Sequence, residues 1–156
     1  MSLEDFKKKI IVINEINGSL LRNRYIQKFI LTEKDYYKKH ILSTQTFSDG
    51  ICYTGYLWDC LNEVDVIDFN YINSMRDTLE KVYVLWDIHS KDRIFIEDYW
   101  KFEKNDILLL DFCVLLDNVD YLPEDIYIFN ESFNWTFVLT HEYFDNKRWC
   151  LKSGDI

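Results

Sequence analysis

Three histidines, each close in sequence to an acidic residue, are the side chains of this chain best suited to acid–base chemistry: His40, His89 and His141. His141 lies in the triplet Thr140-His141-Glu142, where an imidazole beside a carboxylate could transfer protons. Neighbouring side chains of a strand point to opposite faces, however, so His141 and Glu142 are not expected to meet. The pattern favours a histidine at a strand end that is hydrogen-bonded to backbone or solvent.

A metal site is the second chemistry that these histidines allow. Asp87 and His89 are two residues apart, so they share one face of an extended chain and could both bind a metal. A third ligand would have to come from His141 or from an acid of Glu97-Asp98. A small metal-dependent hydrolase using Asp87, His89 and His141 is therefore the alternative function, while a polar loop between two strands explains the same residues without a metal.

Motifs for nucleophilic or nucleotide chemistry are not found in the sequence. It contains no G-x-S-x-G elbow, no HExxH and only four glycines, too few for a glycine-rich phosphate loop. The cysteines form no CxxC pair and stand in apolar surroundings typical of reduced, inert thiols: Cys52, Cys60, Cys113 and Cys150. These observations favour a protein without catalytic residues, metal or cofactor.

Composition and charge limit the class of protein and its partners. The 156 residues fit one domain spanning 1–156, and 48% hydrophobic with 17% aromatic residues argue against disorder. The net charge of -9, without a Lys/Arg stripe beyond residues 7–9, disfavours nucleic acid and favours a basic protein partner. Surplus acid is also a common solubility device. Nothing in the composition indicates the oligomeric state.

Targeting signals and membrane spans are not expected either. The lysines near the start precede an apolar run too short for a signal peptide. The longest apolar run, residues 107–116, is interrupted by Asp111 and is shorter than the roughly 17–25 residues that a transmembrane helix needs. A cytoplasmic protein that does not associate with membranes is the expectation.

The elements expected to position these residues form an α+β fold, with helices mainly in the N-terminal half and an antiparallel sheet mainly in the C-terminal half. A strand over 9–14 is followed by Asn17-Gly18 as a turn. Residues 44–50 are expected to form an exposed loop. Helical spacing of apolar residues predicts four helices in this half, over 20–31 with Ser19 as cap, 33–41, 53–63 and 71–81.

Alternation of apolar and polar residues dominates the second half. Residues 126–129 and 133–142, with Asn130-Glu131-Ser132 between them, predict a β-hairpin, and residues 148–152 add a third antiparallel strand. Residues 82–86 and 93–97 predict a further strand pair. The apolar stretch 103–118 fits a buried helix or a buried strand pair, and its length favours the helix.

The predicted helix over 53–63 carries the features of a binding surface. On a helix, Leu57, Cys60 and Leu61 would face inward, while acids project outward beside two large aromatic residues. Aromatic anchors with an acidic rim are typical of an interface with a cationic groove, although a solvated helix face has the same composition. The expected partner-binding residues are Tyr56, Trp58, Asp59, Glu63, Asp65 and Asp68, with Asp59 contributing more than Glu63.

The C-terminal half also carries a resemblance to known proteins. The stretches VLWDIHSKDRIFI at 84–96 and LPEDIYIFNESFNWTFVLTHE at 122–142 are similar to small, poorly characterised proteins of low-GC bacteria, some of them associated with immunity to polymorphic toxins. The resemblance implies an immunity protein that neutralises a bacterial toxin and supplies no catalytic residues. The expectation is a protein-binding protein of this kind; besides the hydrolase, a structural or accessory protein without a tight partner is an alternative.

Overall fold

A seven-stranded antiparallel sheet is the centre of the structure, a computed structural model that describes residues 1–90 and 101–156. The described strands are β1 (Ile11–Ile13), β2 (Gln45–Phe47), β3 (Gly50–Cys52), β4 (Asp65–Asp68), β5 (Lys81–Trp86), β6 (Ile107–Asp111), β7 (Ile126–Phe129), β8 (Trp135–Phe144) and β9 (Lys147–Gly154). Of these, β2 and β3 form a separate two-stranded hairpin, and the other seven form the sheet. The described α-helices are α1 (Leu3–Lys8), α2 (Glu15–Phe29), α3 (Asp35–Tyr37), α4 (Phe69–Ser74) and α5 (Phe112–Asp117). The predicted α+β class, with helices mainly in the first half, is confirmed.

The strands are arranged in the order β1-β6-β5-β7-β8-β9-β4, so β1 and β4 form the two edges. The predicted hairpin is confirmed as β7 and β8, in which Ile128 lies opposite Phe137. Phe133 has a φ of 54° and belongs to the turn, so β8 begins at Trp135. The predicted third strand is confirmed as β9, which follows a two-residue turn whose positive φ angles at Asp145 and Asn146 match the right-handed twist of a hairpin.

Both faces of the sheet are covered, which explains the high apolar content of its strands. One face packs against α1, α4 and α5, whose buried contacts include Phe6, Ile72 and Phe112. The other face packs against α2 through Tyr25 and Phe29 and against the segment that connects β3 to β4. Among the described residues, no helix combines the length and the apolar character needed to cross a lipid bilayer.

The helices of the first half begin and end at positions different from those predicted. Asn14 caps α2 by accepting a hydrogen bond from the Asn17 amide at 2.9 Å, so the helix begins at Glu15 and contains Gly18, which was predicted as part of a turn. The predicted cap at Ser19 is therefore wrong. The helix over 33–41 is replaced by α3 and a turn of π-helix, Lys38–Leu42, which ends before Ser43.

Two other segments differ in type from the prediction. Residues 44–50, expected to be a loop, contribute to the hairpin of β2 and β3. Residues 103–118 divide into β6, which pairs with β5, and α5, because Asp111 ends the strand and α5 begins at the next residue. The strand over 82–86 is confirmed as β5, and the predicted helix over 71–81 is confirmed only as the shorter α4. The strand over 93–97 lies outside the described residues.

Gly154 is required at the end of β9, and its replacement with alanine is expected to lower the free energy of unfolding by about 2–3 kcal/mol. Its φ is +86°, and a Cβ there would collide with the backbone of Asn134. Gly50, with a φ of +114° and nothing within 4 Å of its Cβ position, is the matched control for backbone strain alone. Urea denaturation of both variants measures the difference; equal losses would mean that Asn134 moves aside.

Candidate functional site

The segment between β3 and β4 contains four of the six predicted binding residues, but it does not form the predicted helix over 53–63. Only Leu57–Cys60 is helical, as a short 3-10 turn that buries Leu57 and Cys60. The Leu57 amide donates to Asp87 Oδ1 at 2.9 Å, and the Trp58 amide donates to the Tyr127 hydroxyl at 2.9 Å. Since these amides have tertiary acceptors instead of carbonyls four residues back, an α-helix is not formed. The acids expected on one face of a helix are therefore not arranged in that way.

Asp87 is the buried anchor of this segment. One carboxylate oxygen accepts from the Leu57 amide, and the other accepts from the Tyr127 hydroxyl at 2.7 Å. Burial raises the pKa of Asp87 to about 7, while these hydrogen bonds and the positive charge of Arg22 oppose the shift. Arg22 is itself buried and donates to the Trp86 carbonyl at 2.9 Å. The Asp87 carboxyl thus stabilises the fold around the site and does not face solvent.

His89 supports the same segment from the side. Its Nε2 donates to the Gly55 carbonyl at 2.7 Å, and its ring packs edge-on against Tyr56 with centroids 4.6 Å apart. The side chain is buried. Asp87 and His89 therefore hold the backbone from Gly55 to Leu57, which places Tyr56 and Trp58 at the surface.

His141 and Asp125 form a hydrogen-bonded pair at the end of the hairpin. His141 Nδ1 lies 3.0 Å from both Asp125 oxygens, and Asp125 Oδ1 also accepts from the His141 amide and from Trp58 Nε1. The hydrogen bond to Asp125 raises the pKa of His141, with smaller contributions from the charges of Glu142 and Glu124, while partial burial opposes the shift. An imidazole, an indole and a buried carboxylate are thereby joined in one network.

The expectation that His141 and Glu142 do not meet is wrong. His141 Nε2 lies 3.5 Å from Glu142 Oε1. The pairing of β8 with β9 shifts register between Leu139 and Tyr143, so the regular alternation of side chains is interrupted where these two residues lie.

Replacing Asp125 with asparagine is expected to lower the pKa of His141 toward its ordinary value of 6.5. The raised pKa means that the contribution of His141 to stability is complete below pH 6.5 and is lost as pH rises through the pKa of the folded state. NMR titration of the imidazole measures the change. Glu142→Gln is the control and should produce a smaller decrease, because Glu142 is half-exposed and more distant; an unchanged His141 pKa in Asp125→Asn would contradict this assignment.

The three residues of the metal hypothesis lie around one segment but do not form a metal site. His89 and His141 both contact the ring of Tyr56, with centroids at 4.6 and 5.1 Å. Across residues 1–90 and 101–156, no three His, Cys, Asp or Glu side chains form a group that could hold a metal ion. The proposed additional acids, Glu97-Asp98, lie outside the described residues.

Aromatic rings form a continuous row across this surface, which we call the aromatic row: Tyr56, Trp58, Trp149 and Phe144. Tyr56 and Trp58 stack with centroids 5.2 Å apart, Trp58 meets Trp149 edge-on at 5.7 Å, and Trp149 meets Phe144 at 6.1 Å. The first three rings are half-buried, whereas Phe144 is 62% exposed. Exposed or half-exposed carboxylates lie beside the row. Asp68 is opposite Trp149, Glu142 and Glu124 lie near His141, and Asp59 follows Trp58 in the sequence with its carboxylate bonded to Tyr36.

The aromatic row brings together some of the predicted binding residues, but not Asp65, which lies on the opposite face of β4 from Asp68 and Trp149. Tyr56, Trp58 and exposed Asp59 lie at one end of the row. Asp65 and Asp68 lie in the edge strand β4, where Asp68 is directly opposite Trp149 of β9. Glu63 is exposed in the turn that precedes β4, with a φ of 51°.

Sequence reasoning missed several residues of this surface. Trp149 belongs to the predicted strand over 148–152, and the alternation of β9 places it on the face of Leu151, so this residue could have been found. Phe144 lies in β8 beyond residue 142, where the predicted strand ends. Asp125 could not have been found from the sequence, because its partners Trp58 and His141 are 67 and 16 residues away.

A groove of about 680 Å³ lies at one end of the row, between β4 and the tip of the β8–β9 hairpin. Its lining includes the apolar side chains of Val66, Tyr71, Phe144 and Trp149. Val66 and Phe144 are 60% and 62% exposed. The groove extends the aromatic row to β4, which is the last of the described strands on this side of the sheet.

Comparisons of the chain with family models, curated proteins and solved structures give no match. The functional interpretation therefore rests on the residues of the site, on their geometry and on their charge.

Proposed function

We propose that this protein binds a basic protein partner through the aromatic row and its carboxylate rim, and that it acts as an immunity protein that neutralises a bacterial toxin. The observation that carries the proposal is the continuous contact of Tyr56, Trp58, Trp149 and Phe144 at the surface, with acids beside it. Large aromatic residues at the centre of a surface and polar groups at its rim are the usual anatomy of a protein interface.

The network beneath the row supports a binding role because it holds the rings in place before a partner arrives. The Trp58 amide and indole both donate, to Tyr127 and to Asp125 respectively. Asp87 and His89 hold the neighbouring backbone at Leu57 and Gly55. An anchor that is already ordered loses little conformational entropy on binding, which increases affinity.

The charge of the chain supports a basic partner. The net charge of -9 attracts cationic proteins at long range, and the acids around the row continue this attraction at short range. Exposed charges at a rim mainly accelerate association and are screened by salt. A complex formed in this way is therefore expected to weaken as ionic strength increases.

Affinity purification of the tagged protein from its native lysate, at low and then high salt with mass spectrometry of the eluate, tests the proposal. We expect one basic partner that salt releases. A matched bait with Asp59→Asn, Glu124→Gln and Glu142→Gln should recover much less of it, while a bait with the exposed acids Asp120 and Glu131 neutralised should recover as much as the wild type. A partner retained equally by all three baits, or the bait alone in every eluate, would refute the proposal.

The hydrolase alternative is favoured by one observation, the His141–Asp125 pair. An imidazole oriented by a buried carboxylate is an arrangement that general acid–base catalysis uses. As a hydrolase that uses this pair, the protein should cleave at least one substrate of an ester and phosphoester panel, and the activity should disappear in His141→Ala. No hydrolysis of any substrate by the wild type would end this alternative.

A further inference from the structure

The edge strand β4 offers a binding mode for the partner that the aromatic row alone does not specify. β4 pairs only with β9 among the described strands and ends the sheet. One side of its backbone therefore has amides and carbonyls that no described strand pairs, and such an edge can accept an additional strand. We infer that the partner adds an extended segment to β4 as an antiparallel strand, an inference that rests on the function proposed above. The residues of this segment follow the pattern basic–apolar–apolar–basic.

The apolar centre of this pattern follows from the groove beside β4. Val66 is 60% exposed and points to the face of Trp149, and Phe144 continues the apolar lining. An added strand would place alternate side chains on this face and on the face of Ile67, which packs against the core. Apolar residues opposite Val66 and Ile67 bury this surface from water.

The basic ends of the pattern follow from the two aspartates of β4. Asp65 and Asp68 stand at the ends of the strand, and neither forms an ion pair within residues 1–90 and 101–156. Asp68 accepts from the Tyr71 amide at 2.9 Å as the cap of α4. This hydrogen bond involves no cationic side chain. Opposite charges on directly paired residues of two strands stabilise the pair.

Two cations near the groove, Arg148 and Lys152, have contacts other than the aspartates of β4. The Arg148 guanidinium donates to the carbonyls of Thr140 and Glu124. Lys152 is opposite Asp65 in register, and its ammonium lies over the ring of Tyr71, 5.7 Å from the centroid. Lys147 lies at the hairpin end of the groove, opposite Phe144. The acidic ends of β4 therefore remain available to a basic segment.

A second copy of the chain does not fit this edge through its own β4. In an antiparallel pair of two β4 strands, Asp65 of each copy would lie opposite Asp68 of the other, and like charges directly opposite are destabilising. The other edge, β1, has exposed Ile11 and Val12. A β4–β1 contact between copies joins two different surfaces and would generate open polymers, which a size measurement detects.

Binding to immobilised eight-residue peptides tests the inference with the full-length protein. The test peptides carry the core [Lys/Arg]-Val-Ile-[Lys/Arg]. One set of control peptides has Asp or Glu in place of the two basic residues, and a second set has the scrambled core Val-[Lys/Arg]-[Lys/Arg]-Ile. We expect basic-ended peptides to bind about tenfold tighter than the controls, since two partly exposed ion pairs form. Hydrogen exchange should show protection of amides in Asp65–Asp68 on binding.

The double variant Asp65→Asn and Asp68→Asn should remove the preference for basic ends without unfolding the protein, because asparagine is also a good helix cap for α4. The variant with Asp120 and Glu131 neutralised is the matched control. The strand-addition inference would be overturned if all peptides bound equally or none bound. It would also be overturned if binding protected only the amides of Leu57–Cys60, or if the free protein formed polymers at increasing concentration. The lysate experiment judges the proposed function separately, so a partner that needs Trp58 but not Asp65 and Asp68 would leave that function standing.

Discussion

Replacing Asp87 with alanine is expected to lower the free energy of unfolding by about 3–5 kcal/mol. The change leaves the Leu57 amide and the Tyr127 hydroxyl without their buried acceptor. It also removes a carboxylate that interacts electrostatically with the buried guanidinium of Arg22. Urea denaturation followed by tryptophan fluorescence at pH 7 measures the loss.

Asp87→Asn is the matched control for this experiment. The amide keeps one oxygen acceptor and the shape of the side chain, so a smaller loss of about 1–2 kcal/mol is expected. A loss below about 1 kcal/mol in Asp87→Ala would show that water or a local rearrangement replaces the carboxylate, and that Asp87 does not anchor the segment.

The difference in unfolding free energy between the wild type and Asp87→Asn is also expected to depend on pH. In the unfolded chain Asp87 ionises near its ordinary pKa of 3.8, whereas burial raises its pKa in the folded protein to about 7. The folded state therefore holds the proton to higher pH, so the part of the Asp87 contribution that depends on protonation is complete below pH 3.8 and is lost as pH rises to about 7. The stability of the wild type relative to Asp87→Asn should decline across that range; a flat difference would contradict the raised pKa. His141 titrates in both proteins, and its effect cancels.

The sheet of the second half could be predicted because its signals are local. Alternation of apolar and polar residues in β8 and β9, and turn residues between β7 and β8, specify strand pairs that are adjacent in the sequence. Residues 103–118 could not be assigned in this way, because a strand and a helix that are both buried share a continuous apolar pattern.

The segment from Tyr53 to Glu63 was predicted as a helix for a different reason. Its apolar residues have helical spacing, yet the amides of Leu57 and Trp58 bond to Asp87 and Tyr127, which are 30 and 69 residues away. Tertiary hydrogen bonds outweighed a weak local propensity. Tyr56 and Trp58 could still be selected from composition, whereas their contact with Trp149 and Asp125 depends on the folded sheet.

Replacing Trp58 with alanine is expected to weaken the complex with the partner recovered from lysate by about 2–4 kcal/mol, which is roughly 30- to 1000-fold in dissociation constant. Trp58 is the middle of the aromatic row, since its ring contacts Tyr56 on one side and Trp149 on the other. Its loss therefore divides the row into two smaller apolar surfaces. Titration calorimetry or surface plasmon resonance with the purified partner measures the change.

Three control variants separate the anchor from its surroundings. Trp58→Phe keeps a ring but loses the indole hydrogen bond to Asp125, so it should retain much of the affinity. Asp59→Asn should cost about 0.5–1 kcal/mol, mostly in association rate at low salt, because Asp59 is exposed at the rim. Ile16→Ala changes an apolar side chain that is 77% exposed on α2, outside the row, and should have no effect.

The relative sizes of these effects decide which feature of the surface carries the binding energy. The sequence favoured Asp59 over Glu63 among the acids and Tyr56 and Trp58 as anchors. The geometry favours Trp58 over Asp59, because a half-buried ring held at its amide and its indole loses less entropy on binding than an exposed carboxylate. If Asp59→Asn weakened the complex more than Trp58→Ala while both variants melted at the wild-type temperature, an electrostatic contact centred on Asp59 would have to replace the aromatic row as the core of the interface.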